Sequence, residues 1–170
     1  MMKWLGCLGV LLVIVLVIGG MALGVYNNLV GLGQGVDAQW GQVENVYQRR
    51  ADLIPNLVST VKGYAAHEKE TLDAVISARA RATQVQAQIT PETLNNPELL
   101  QQFQAAQGGL GAALGRLMVV MERYPDLKAN QNFLDLQAQL EGTENRITVE
   151  RRRFNEVAQA YNTAIRRFPG

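Results

Sequence analysis

The sequence predicts an all-α protein, an N-terminal transmembrane helix followed by an up-and-down bundle of long helices, and three observations carry that prediction. The chain opens on a long apolar run. Beyond residue 36 it is rich in Ala, Leu, Gln, Glu and Arg, all good helix formers, and no long β-branched or alternating stretch competes with them. Two rows of mostly apolar residues, one in the first third and one in the last, recur in steps of three and four, the period of helices packed lengthwise in a left-handed bundle.

All but one of the 31 charged side chains lie at Asp37 or later, so residues 4–36 are uncharged although the whole chain of 170 residues has a net charge of +1. From Trp4 to Val25 every residue is apolar or Gly, and a helix of that length spans about 33 Å, enough for a hydrocarbon core of about 30 Å. Residues 1–25 therefore read as a transmembrane signal anchor. Ala22 and Gly24 resemble the small residues of a signal-peptide cleavage site, but the apolar run is longer than a usual h-region and no turn-forming break precedes Ala22. Only six residues precede Cys7, too few for the hydrophobic region of a lipoprotein acylation site, and it reads as a plain membrane Cys. Gly20 and Gly24 make one GxxxG spacing, which suits close approach of two membrane helices. Lys3 precedes the helix, whereas the 20 residues after it carry Asp37 and Glu44 and no cation. The positive-inside bias then places the amino terminus in the cytoplasm and the bundle outside.

Residues 26–36, with Gly31, Gly33 and Gly35, read as a flexible juxtamembrane collar, and residues 37–170 as the bundle. The first row runs Tyr26, Leu29, Gly33, Val36, Trp40, Val43, Tyr47, Arg50, Ile54, Leu57, Val61 and Tyr64. Pro55 removes one backbone donor and disfavours the helical region at Ile54, yet the phase continues, which predicts a kink at 52–55 within a continuing helix. After Tyr64 the phase is lost and Lys62-Gly63 resembles a helix stop, so a turn is expected near 63–67. Further helices are expected at 67–89 and 98–123, separated by Thr90-Pro91 and Asn95-Asn96-Pro97. Pro125 is expected to open the last helix, which carries the second row: Phe133, Leu136, Leu140, Thr143, Ile147, Glu150, Phe154, Val157, Tyr161, Ala164 and Phe168. Four helices of similar length suit an up-and-down bundle, with the last overhanging by about 17 residues. Without the break at Gly63 the alternative is three helices of unequal length.

The residue inventory excludes several chemistries. A nucleic-acid binder carries a basic excess, and a disulfide scaffold needs several cysteines; this chain has neither. His67-Glu68 begins like a HExxH zinc site, but residue 71 is Thr, and one His cannot supply a helical di-iron site. No Ser occupies a GxSxG elbow, and the Gly-rich stretches at 31–35 and 108–111 neither follow a strand nor precede Lys-Ser/Thr. No catalytic, cofactor-binding or metal residue is assigned, and the chain is read as not an enzyme.

The second Gly-rich stretch, with Ala105, Ala112, Ala113 and Gly115, makes a small-residue face on which another helix backbone can approach closely. Arg151-Arg152-Arg153 is balanced by neighbouring acids and reads as a solvated face with pairs such as Arg152 with Glu156. Arg50 and Glu150 each interrupt an apolar row once, and they are expected to meet each other or other polar groups in the bundle. In Tyr26-Asn27, Phe154-Asn155 and Tyr161-Asn162 each aromatic holds a row position, and the Asn beside it is either an incidental neighbour or a cross-helix hydrogen-bonding group.

Taken together, Tyr26-Asn27-Asn28-Leu29-Val30, Trp40 with Val43, Arg49-Arg50-Ala51-Asp52-Leu53-Ile54-Pro55-Asn56-Leu57, Val61-Lys62-Gly63-Tyr64, Tyr124-Pro125-Asp126-Leu127, Leu140-Glu141-Gly142-Thr143-Glu144-Asn145-Arg146 and Phe154-Asn155 resemble the LemA family of bacterial membrane proteins, over nearly the whole chain. The resemblance implies a membrane anchor and a helical bundle, no established enzymatic activity and no cofactor. Relatives encoded near membrane proteases or within magnetosome gene sets suggest an accessory or scaffold role. LemA-like chains usually continue past a Phe-Pro motif such as Phe168-Pro169, whereas this sequence ends at Gly170.

The functional expectation is a non-enzymatic, membrane-anchored scaffold of the bacterial cell envelope. It would contact the lipid bilayer through residues 4–25, and envelope proteins or copies of itself through the bundle. The alternative is an extracytoplasmic sensor-like module that holds a small molecule between helices near residues 108–115.

Overall fold

A computed structural model describes residues 2–167, with side chains described over 9–167. The described chain is all-helical: α1 (Met2–Tyr64), α2 (Lys69–Gln86), a 3-10 turn (Pro91–Thr93), α3 (Pro97–Met121), α4 (Pro125–Lys128) and α5 (Gln131–Arg166). Two compact units divide it, one built from residues up to Gln39 together with those from Arg152 on, the other from Trp40–Arg151.

In the first unit α1 carries its apolar side chains outward. Val10 to Ile18 are all more than half exposed, and by length and composition this part of the helix is long and apolar enough to cross a membrane. Residues 26–36 correct the expectation of a flexible collar, because α1 runs through them without a break. A glycine costs a helix about 1 kcal/mol relative to alanine, and here helix continues on both sides while the Tyr161 ring of α5 lies 3.7 Å from where Gly33 would carry a Cβ. The end of α5, expected as an overhang, is thus packed against this part of α1. Phe154, Val157, Tyr161 and Ala164 are half-buried, as are Leu29, Gly33 and Val36, whereas Tyr26 is exposed. Asn27, Asn155 and Asn162 are also exposed, so they are incidental neighbours of their aromatics. Lys3, Trp4 and Cys7 lie outside the described side chains, and Phe168-Pro169 outside the described residues.

In the second unit four long helical segments line one core. α1 supplies Ile54, Leu57 and Val61, α2 supplies Leu72 and Val75, α3 supplies Leu110, Leu117 and Met121, and α5 supplies Phe133 and Leu140. On α1 and α5 these are the row positions that the three-and-four spacing marks, and burying such side chains is worth about 1.5–3 kcal/mol each. A second layer is aromatic: Phe103 meets Trp40 at 5.5 Å and Tyr47 at 5.1 Å between ring centroids, both edge to face. Pro55 lies within α1 without ending it.

The chain turns after Tyr64, as the loss of phase predicts, and α2 and α3 lie within a few residues of their expected bounds. Tyr64 itself is an exception. The core position after Val61 is taken by Ala65, fully buried, while Tyr64 is exposed. Asn96 caps α3, its Oδ1 accepting from the Glu98 and Leu99 N–H groups at 3.0 and 3.2 Å. The start of the last helix needs correction. Pro125 opens only the single turn α4, which inserts the fully buried Leu127 into the core. The long helix begins at Gln131, because Asn130 Oδ1 accepts the Phe133 N–H at 3.0 Å and restarts it.

Candidate functional site

Among the described residues the bundle contains one buried cation. Arg50 of α1 is 3% exposed, and the helical phase that places Tyr47 and Ile54 in the core places it there too. Its Nη1 donates to Glu144 Oε1 on α5 at 2.8 Å, and its Nη2 donates to the Gln107 side-chain Oε1 on α3 and to the Gln107 carbonyl at 3.3 Å. The guanidinium stands 5.2 Å from the centroid of the Tyr47 ring, a cation–π distance. Nε is buried without an acceptor among the described residues. Burial raises the pKa of the Tyr47 phenol, and the nearby Arg151 and Arg50 partly oppose the rise.

The expectation for Arg50 is met: it finds polar groups of the bundle, and the carboxylate that reaches it is Glu144. Glu144 stands on α5 next to the row residue Thr143, and its side chain is about half exposed, so spacing alone did not single it out. Gln107, buried on α3 in the same unit as Leu110, was equally silent in the sequence. A buried charge is costly unless it is paired and hydrogen-bonded, and three helices converge here to meet that requirement.

His67 lies exposed in the turn after α1. Its neighbour Glu68, the second residue of the apparent zinc motif, has a structural partner set: Glu68 Oε1 accepts from Arg123 Nη2 at 3.1 Å and from Tyr124 Oη at 2.9 Å. That hydrogen bond to a carboxylate holds the Tyr124 pKa above its ordinary value. Across the same end of the bundle, Asn130 Nδ2 donates to Tyr64 Oη at 2.9 Å. Among the described residues no three His, Cys, Asp or Glu side chains are grouped to hold a metal ion.

Two open grooves flank α3. The one toward α5, about 670 Å³, is lined by Gly111, Leu114, Gly115 and Met118 of α3 and by Gln137, Leu140, Glu141, Glu144 and Asn145 of α5. The one toward α2, about 360 Å³, includes Ala78, Arg81, Ala106, Gly109, Ala113 and Arg116 in its lining. Part of the small-residue face of α3 is uncovered, Gly108, Gly109, Ala112 and Gly115 being exposed while Ala113 is buried. A Cβ built at Gly108, Gly109, Gly111 or Gly115 would meet nothing within 4 Å. α3 packs closely against α2, with Ala113 in the core, whereas Gly108, Ala112 and Gly115 meet no other helix closely inside the described chain. On Arg152, the expected i to i+4 pair with Glu156 is present at 3.7 Å between well-exposed groups, a geometry worth little.

The sequence pattern of the LemA family matches residues 39–170, which takes in all of the second unit. The magnetosome protein MamQ of Magnetospirillum gryphiswaldense is 30% identical over 159 residues, covering 85% of this chain and 58% of that protein. The magnetosome protein MamQ 2 of Paramagnetospirillum magneticum is 28% identical over the same shares. Protein LemA of Metamycoplasma hominis is 25% identical over 126 residues, 74% of this chain and 52% of that protein. The chain thus spans a little over half the length of the curated relatives it matches.

Proposed function

Because this chain belongs to the LemA family, we propose that it is a non-enzymatic, single-pass membrane scaffold of the bacterial cell envelope whose helical bundle presents a surface to other proteins or to copies of itself. One observation carries the reading: α1 is a single helix that begins as an exposed apolar segment and ends as a wall of the bundle core. A domain built on its own membrane helix holds its surface at the membrane, which suits assembly there. In this proposal residues 4–25 cross the bilayer, the amino terminus is cytoplasmic and the four long segments form an up-and-down bundle outside. The MamQ relatives are magnetosome proteins; for this chain the proposed setting is the cell envelope.

Crosslinking in native membranes followed by purification tests the scaffold role. A strictly monomeric protein without partners across growth conditions would overturn it. Protease treatment of spheroplasts tests orientation, with digestion of residues 40–170 expected.

A second reading is favoured by the groove between α3 and α5. Its volume, about 670 Å³, lies in the range of small-molecule sites, and it joins apolar Leu114 and Met118 to the carboxylates of Glu141 and Glu144. An extracytoplasmic sensor would use it. A metabolite that raises the melting temperature in a thermal-shift screen, and loses that effect in Gly115→Leu, would favour this reading over the scaffold.

A further inference from the structure

We propose that the open face of α3 is an interface between two copies of this chain lying side by side and pointing the same way. The proposal deepens the scaffold reading and rests on it. Gly108, Ala112, Gly115 and Val119 recur in steps of four, three and four, so they share one face of α3, and all are exposed, Val119 at 72%. Glycine within a helix is destabilising relative to alanine, and no contact inside the described chain requires it at Gly108 or Gly115.

The flanking grooves identify what covers the face. The charged residues of the groove toward α5 are both acidic, Glu141 and Glu144. Those of the groove toward α2 are both basic, Arg81 and Arg116. Neither arginine has an ion pair among the described residues, whereas Glu144 is shared with Arg50 and keeps a half-exposed side chain. Glu141 shares its groove with Leu114 and Gly115, and Arg116 is the next residue along α3, so these opposite charges stand at about the same height on the two flanks. A two-fold axis parallel to α3 exchanges the flanks, and it sets each copy's acidic side against the other's basic side. A two-fold axis across α3 would set acid on acid and base on base. Charge complementarity therefore selects the first arrangement over the second. The small side chains then let the two helices approach closely between the charged flanks.

The test uses the full chain in its native membrane, with Cys7→Ser and single cysteines at Ala112→Cys, Val119→Cys or, as a control on exposed α1, Lys62→Cys. Parallel pairing brings each α3 position to its own counterpart, so mild oxidation should give disulfide dimers at both 112 and 119 and not at 62. Arg81→Glu with Arg116→Glu should lower the 112 crosslink by at least about tenfold, as should Glu141→Arg alone, because like charges then meet across the interface. Co-expression of those two variants should restore a crosslink between them, since acid again meets acid's opposite where the altered flanks face each other. The interface is overturned if 112 and 119 crosslink no faster than 62, or if the charge changes have no effect or are not mutually rescued. Crosslinks to copies or partners elsewhere on the bundle, with α3 silent, would reject this face and leave the scaffold reading standing. A chain that crosslinks nowhere would reject both.

Discussion

Arg79 of α2 donates its Nε–H to the backbone carbonyl of Ala51 at 2.7 Å, and Ala51 is the residue whose helical partner would have been an N–H at Pro55. Proline has no such hydrogen. The proline inside α1 therefore leaves one carbonyl without its i+4 donor, and a neighbouring helix supplies a charged one. This explains how α1 passes Pro55 unbroken, and it ties α2 to α1 at that level.

Arg79→Met should cost about 1–3 kcal/mol in chemical denaturation of the detergent-solubilised protein, the range for a buried polar group stripped of its partner. In a Pro55→Ala background the same change should cost less, because the backbone N–H restored at position 55 then serves the Ala51 carbonyl. Equal costs in the two backgrounds would show that Arg79 acts through something other than the orphaned carbonyl.

The acceptors of Arg50 should prove non-additive. Glu144→Gln alone should cost about 1–2 kcal/mol, discounted because the carboxylate is half exposed and Gln107 still accepts. Combining it with Gln107→Leu should cost more than the two separate losses, since the guanidinium then keeps only the carbonyl of residue 107 and a neutral amide. A double-mutant cycle on unfolding free energies reads the coupling directly.

Stability should fall on the alkaline side. Burial raises the Tyr47 pKa above 10.0 and the bond to Glu68 raises that of Tyr124, so around and above pH 10 the unfolded chain releases these protons before the folded one does. The stabilisation is complete below the unfolded pKa and is lost as pH rises through the folded values. Tyr47→Phe should leave a shallower loss above about pH 10, measured as unfolding midpoint against pH; an unchanged slope would remove Tyr47 from the account.

Asn130 does two jobs with one amide. Its Oδ1 caps α5 and its Nδ2 holds Tyr64. Asn130→Ala should cost about 1–2 kcal/mol, the usual loss of an N-cap plus an exposed hydrogen bond. Asn130→Asp keeps the capping oxygen and loses the donor, and its cost should be smaller. Thermal unfolding of the two variants separates the roles.

Much of the architecture was legible because helices declare themselves locally. The apolar run to Val25, the rows through Trp40 to Val61 and Phe133 to Ile147, the turn after Gly63 and the break at Asn95-Asn96-Pro97 all depend on residues near one another in the chain. The errors arose where distant contacts outweighed local preference. The glycines at 31–35 suggested loose backbone, yet helix on both sides and Tyr161 keep them helical. Pro125 suggested the start of the last helix, yet Leu127 is held in the core and Asn130 restarts the helix later. The candidate site was less legible still. Arg50 stood out as a charge in an apolar row, but Glu144 and Gln107 lie 94 and 57 residues away from it.

The sequence by itself determined the helical class, the apolar N-terminal segment and most of the core side chains of α1 and α5, since hydrophobic burial follows the period of a single helix. Only the tertiary structure decided who meets whom. It gave Arg50 its carboxylate, sent Arg79 to the carbonyl orphaned by Pro55, and left the face of α3 open between an acidic and a basic groove. Hydrogen bonds and charge pairs act across helices at a few ångströms, and periodicity along one helix carries no record of what its neighbours present.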